Sequence, residues 1–132
     1  MDVTTFYEGL LGIDAPWRVK EVTMDVQGRR VEVELECRER TVWGDPQAGR
    51  LHIHSWELRR WRHRDSCGFT TELVAEVPRV KYPDGTTRMV AVAWADRYAR
   101  WTRQFEMFAM LVLQGARSVK EGCEILGIGW DL

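Results

Sequence analysis

Two runs of alternating residues, joined by a two-residue turn, constrain this chain more than any other feature. Val22, Met24 and Val26 alternate with polar neighbours, Gln27-Gly28 supplies a turn, and Val31, Val33, Leu35 and Cys37 then alternate with Glu32, Glu34 and Glu36. A period of two sends successive side chains to opposite faces, so the pattern predicts an antiparallel hairpin with one buried and one wet face. The three glutamates would stand in a row on the wet face. That row is a solvated strand face, or alternatively an acidic partner-binding stripe. As a metal site it has no neighbouring donors to complete a shell.

Further extended segments are expected at 51–63, 69–80 and 88–94, with Tyr82-Pro83-Asp84-Gly85 as the turn between the last two and 43–50 as loop. Ahead of the hairpin, Thr4 or Thr5 would cap a short helix carrying Phe6, Leu10 and Leu11 on one side. From Ala95 the period changes. Trp101, Phe105, Phe108 and Val112 recur at helical spacing and predict a helix of about five turns ending near Gly115. Ser118-Val119-Lys120-Glu121 reads as a capping box opening a second helix, which would bury Val119, Ile125 and Leu126 and stop at Gly127. The expected fold is α+β: a small, mostly antiparallel sheet packed on a long helix that is followed by a short one. It divides into a β-rich lobe with its N-terminal helix over 1–94 and a helical segment over 95–132, together one compact unit.

The net charge of −1 conceals a segregation. Residues 1–49 carry 6 basic and 10 acidic side chains, residues 50–103 carry 11 and 6, and residues 104–132 carry 2 and 4. The middle of the chain is therefore the expected footprint for a polyanion. Within it, Trp56-Glu57-Leu58-Arg59-Arg60-Trp61-Arg62-His63-Arg64 interleaves guanidinium groups, which pair with phosphates bidentately, with indoles that can stack. Arg59, Arg60, Arg62, His63 and Arg64 are the candidate phosphate-binding residues. Arg97, Arg100 and Arg103, on or beside one face at the start of the predicted helix, would extend the patch. The competing reading has Trp56, Leu58 or Trp61 in a core and the arginines in solvent.

Other chemistry is not expected. There is no phosphate-cradling glycine loop, no nucleophile elbow and no helix with paired metal-binding histidines, so no catalytic residue and no cofactor are assigned. His52, His54, His63 and Cys67 fall close together, but without a cysteine pair at short spacing no metal is assigned to them. Three widely spaced cysteines point to free thiols rather than a disulfide framework. Neither a spanning apolar segment nor a secretory leader is evident, so the expectation is a cytoplasmic protein without a membrane partner.

Several of these motifs, in order, resemble the N-terminal region of the ISL-three family of bacterial transposases. His54 to His63 resembles that family's histidine- and arginine-bearing stretch, and Ala75-Glu76-Val77-Pro78-Arg79-Val80-Lys81 resembles its A-x-V-P-R-V-K/R strand. Val90-Ala91-Val92-Ala93-Trp94-Ala95 resembles its V-x-V-P-W-A turn, and Ser118 through Asp131 its helix–turn–helix opening. The resemblance implies a degenerate zinc-ribbon-like lobe followed by a truncated helix–turn–helix. A C-x-x-C near Trp43–Pro46 and a cysteine at the position of Tyr82 are both replaced, which implies a ribbon without metal, and Ala93 stands where the family has proline. The recognition helix and catalytic domain would lie beyond the residues present. The implied function is a non-catalytic domain contacting DNA backbone through the arginine- and tryptophan-rich patch. The alternative is a repurposed protein-binding regulator or inhibitor of a phage or mobile element, acting for instance on a nucleic-acid-handling defence complex. A decayed fragment and a homodimer through the 98–113 helix are also consistent with the pattern.

Overall fold

The alternating hairpin forms, and it is one arm of a six-stranded sheet. The computed structural model describes residues 2–129. In chain order the elements are α1 (Val3–Leu11), β1 (Trp17–Asp25), β2 (Arg30–Cys37), β3 (Trp43–Asp45), β4 (Gly49–Ser66), β5 (Phe69–Lys81), β6 (Thr87–Met89), α2 (Arg103–Gly115) and α3 (Val119–Leu126). The sheet runs β1-β2-β5-β4-β3, with β6 pairing β5. Its class is α+β and its pairing mostly antiparallel, as expected. The parallel ladder of β2 against β5 is long-range and has no local signal in the sequence.

β4 and β5 form the spine. They close on Cys67-Gly68, both at left-handed φ of 53° and 81°, the backbone form whose twist matches that of two antiparallel strands. Trp61, opposite Leu73, is 1% exposed and meets Trp94 edge-to-face with ring centroids 5.3 Å apart. Trp94 in turn meets Trp17 at 5.1 Å. Around these indoles Val31, Val33, Leu35 and Val77 fill one face of the sheet, and α1 covers it with Tyr7 and Leu11. The opposite face carries the charge. Glu36 pairs with Arg18 at 2.8 Å, Glu34 with Lys20 at 3.5 Å and Glu32 with Arg60 at 3.0 Å, so the acidic row is a cross-strand ion-pair ladder.

α2 and α3 form a second, smaller core of Phe105, Ala109 and Leu126. Thr102 caps α2 by accepting from the Phe105 N–H at 3.1 Å, and Ser118 caps α3 by accepting from the Glu121 N–H at 3.1 Å. α3 ends on Gly127 at φ 68°, the left-handed position expected of it. A Cβ on Gly122 would fall 2.5 Å from Leu113 Cδ2, so this glycine allows the two helices to touch.

Several expectations are corrected. The long helix starts at Arg103 rather than near residue 95, because Trp101 is held in a parallel bridge to Arg62 and Thr102 then caps the helix; the 98–113 helix is thus 103–115. A register shift between Val19 and Glu21 moves the buried phase of β1 onto Trp17 and Val19, leaving Met24 57% exposed and, past the strand, Val26 67% exposed. Asp2, not Thr4 or Thr5, caps α1, whose buried residues are Tyr7 and Leu11 while Phe6 and Leu10 face solvent. Residues 43–45 are not loop but a short strand paired with 49–51. In the 88–94 segment only the start, up to Met89, is strand. In α3, Leu126 is buried with Gly122 and Cys123, whereas Val119 and Ile125 are exposed. Trp130 and Asp131 of the helix–turn–helix resemblance lie outside the described residues.

Candidate nucleic-acid interface

Alternation along β4 sorts the predicted site residues before any partner is considered. Arg59, Trp61 and His63 lie on the face that holds the core; Arg60, Arg62 and Arg64 lie on the other. Trp61 sits in the main core, so the indole within the arginine block is structural. Arg59 donates to the Met89 sulfur at 3.0 Å and to the Ala99 carbonyl at 3.2 Å, with its guanidinium 5.3 Å from the Trp61 ring. Both terminal nitrogens of its guanidinium are thus turned to the protein.

His63 is 4% exposed and its Nδ1 lies 2.7 Å from Thr102 Oγ1. Burial, with a smaller contribution from the neighbouring Arg64 charge, pushes its pKa down to about 4. It is therefore neutral at pH 7 and has no surface with which to meet a phosphate. Its position instead ties β4 to the cap of α2.

Arg60, on the outer face, donates to Glu32 at 3.0 Å and lies 3.8 Å from Glu72, a carboxylate that also pairs with Arg30. Arg62 donates to Asp65 at 2.8 Å and lies over the Phe105 ring at 5.3 Å. Arg64 is exposed and stacks its guanidinium 3.8 Å over Phe108. Arg103 pairs with Asp96 at 2.5 Å and donates to the Ala93 carbonyl at 2.8 Å. Arg97 and Arg100 are exposed and make no ion pair among the described residues.

Where β4 meets the helical pair, the backbone forms a junction. The Arg62 N–H donates to the Arg100 carbonyl and the Thr102 N–H donates to the Arg62 carbonyl, both at 2.9 Å. This short parallel pairing brings Arg60, Arg62, Arg100 and Trp101 to one cleft of about 550 Å³, together with Glu72 and Gly127–Gly129 at the end of α3. Trp101 stacks on Phe105 with ring centroids 4.8 Å apart. Trp101, Glu72 and the Gly127–Gly129 segment line this cleft without being marked by the sequence pattern. Trp101 has helical spacing to Phe105, so nothing local marks it as a bridge residue instead. Arg97 lies elsewhere, lining two other clefts together with residues of the 89–98 segment.

A family profile described as the zinc-finger of transposase IS204/IS1001/IS1096/IS1165 matches residues 45–85. No curated protein and no solved structure matches the chain. The matched stretch runs from the end of β3 through the β4–β5 hairpin to the following turn. Zinc, which such a profile implies, can be tested against the residues present. Trp43 and Tyr82, the positions where the resemblance places the replaced cysteines, line one cavity of about 270 Å³ with Gly44, Leu51, Val80 and Met89. The two turns therefore converge as metal-bearing turns would, but no thiol or imidazole lines the space, and no group of three metal donors occurs among the described residues. His52 and His54 are exposed on β4, while Cys37, Cys67 and Cys123 are scattered. The donor set does not fit zinc. No helix among the described residues is long and apolar enough to cross a membrane.

Proposed function

We propose that this chain is a non-catalytic nucleic-acid-binding domain derived from the N-terminal region of a transposase, holding phosphates at the junction of β4 with the helical pair. The observation that carries the reading is the convergence of Arg60, Arg62 and Arg100 on one cleft, on a hairpin whose sequence matches a transposase zinc-finger profile. Arg100, free of ion pairs among the described residues, and Arg64 on β4, stacked over Phe108 of α2, bring unpaired positive charge to this junction. Arg59, His63 and Arg103 serve the fold. α2 and α3 stand as the first two helices of a helix–turn–helix, contacting backbone rather than reading bases.

With about two phosphates neutralised, the logarithm of affinity should fall with slope about −1.8 against the logarithm of salt, a loss of about twelvefold between 50 and 200 mM. Fluorescence anisotropy with labelled single- and double-stranded oligonucleotides across that salt range tests it. Binding that ignores salt, or Arg64→Glu/Arg100→Glu protein binding as wild type does, refutes it.

A second reading is supported by exposed apolar side chains. Trp56 and Leu58 are open on β4, and Met107, Met110 and Leu111 are open on α2. Such surface suits a protein partner, as for a regulator or inhibitor carried by a mobile element, or a second copy meeting through α2. Sedimentation of the pure protein, with Leu111→Glu as control, separates self-association from a monomer.

A further inference from the structure

We infer that the cleft between β4 and the helical pair is a site for single-stranded nucleic acid, in which an unpaired base stacks on Trp101 beside the Arg100 guanidinium. The inference rests on the polyanion reading above and specifies the form of nucleic acid that this site takes.

The argument begins with what the cleft offers besides charge. Phe105 covers one face of the Trp101 ring, and Trp101 itself lines the cleft with Arg60, Arg62, Arg100, Glu72 and the Gly127–Gly129 turn. The Phe105 ring backs the indole from a fully buried position, so the platform is fixed rather than swinging. Gly127 and Gly129, on either side of Ile128, add no side chain of their own to the cleft. A Cβ added at Gly127 would already lie 3.9 Å from Arg62 Nη2.

The guanidinium groups divide the work. Arg62 is turned to Asp65, and Arg60 to Glu32 and Glu72. Arg100 is exposed and has no ion pair among the described residues, so it is the group available to a phosphate beside the indole. Charge alone would accept duplex and single strand alike. The indole that lines the cleft does not. In a duplex each base face is covered by its stacked neighbours and reaching one requires extrusion of the nucleotide, whereas a single strand presents open faces. An aromatic platform with an adjacent arginine therefore selects the unpaired form, with little preference among bases.

The test uses the whole chain and labelled oligo(dT) and oligo(rU) of about ten nucleotides, the span of one such site, against a duplex of equal length at fixed salt. The expected result is single-strand affinity at least about tenfold above duplex, falling about tenfold to a hundredfold in Trp101→Ala and retained in Trp101→Phe. Because Trp101→Ala can weaken the Phe105 core, wild-type protein is also photocrosslinked to an oligonucleotide carrying 5-bromodeoxyuridine, and the crosslink is expected to map to Trp101. Duplex bound at least as well as single strand, or crosslinks confined to other residues, overturns this inference and leaves the polyanion reading standing. Failure to bind either form overturns both.

Discussion

Acidification should weaken the fold through one buried ring, and by an amount the structure sets. His63 is neutral in the folded state, with its pKa pushed down to about 4 by burial. In the unfolded chain it returns to about 6.5. Between those values the unfolded state binds more protons than the folded one. The contribution is therefore complete above pH 6.5 and is lost as pH falls towards 4. The loss is about 2 kcal/mol by pH 5 and about 3 kcal/mol by pH 4, a large share of a stability of about 5–15 kcal/mol. The local chemistry agrees in sign. Thr102 Oγ1 accepts from the Phe105 N–H and lies 2.7 Å from His63 Nδ1, so the arrangement that uses every group has the hydroxyl donating to a bare ring nitrogen. A proton on Nδ1 reverses that bond and places a cation beside the α2 cap and the Arg64 charge. The assay is urea denaturation followed by tryptophan fluorescence at pH values from 7 to 4.5. The comparison is His63→Asn, whose side chain keeps a polar atom at the δ position but does not titrate. Exposed His52 and His54 are common to both proteins and cancel. Wild type should lose about 2 kcal/mol between pH 7 and 5 that the variant does not lose. Parallel pH curves for the two proteins, or wild type gaining stability on acidification, refute the reasoning.

Three further outcomes are expected. Trp61→Ala empties a site that is 1% exposed between Trp94 and Leu73, and should cost about 3–5 kcal/mol by urea titration, enough to leave the chain largely unfolded. Ser118→Ala removes the acceptor of the Glu121 N–H and should lower stability by about 1 kcal/mol without altering the sheet, read as a shifted urea midpoint with unchanged slope. Chelator treatment should leave the melting temperature unchanged and metal analysis should find zinc well below one per chain, since the cavity where the two turns meet is lined by aromatic and apolar side chains and Arg97, without a thiol, imidazole or carboxylate.

What was legible in the sequence had a short period and local partners. The β1–β2 hairpin, the α3 cap at Ser118 and the stop at Gly127 depend on residues a few positions apart, and each forms where its pattern lies. The start of α2 was misplaced because Trp101 and Phe105 are spaced for a helix. What delays the start of that helix is Arg62, 39 positions from Trp101, whose backbone takes residues 100–102 into an extended bridge. The phase of β1 was misread for a related reason. A register shift near Lys20 cannot be inferred from alternation that resumes on either side of it. The candidate cleft depends on that same bridge, so Arg60 and Arg62 could be named from composition while Trp101 could not.

The charge segregation along the chain has a structural use that weakens it as a guide to partners. The acidic first segment supplies β2 and the basic middle supplies β4 and β5. The sheet order places β5 between β2 and β4, and Arg60 reaches across it to Glu32, while Arg30 reaches from β2 to Glu72. Opposite charges that are far apart in sequence are thus neutralised across strands, each exposed pair contributing little to stability, about 0–1 kcal/mol, but removing its charge from the outward field. Exposed cations without a carboxylate partner among the described residues remain at several places, Arg38, Arg50 and Arg117 among them, and at the strand–helix junction they are Arg64 and Arg100. The proposed polyanion contact at that junction would lie at one edge rather than over a face. Charge-reversing Arg60 should therefore disturb the ion-pair ladder more than it disturbs binding, and charge-reversing Arg100 should do the opposite; the reverse ranking, measured by urea titration and anisotropy on the same two proteins, would place the interface on the sheet instead.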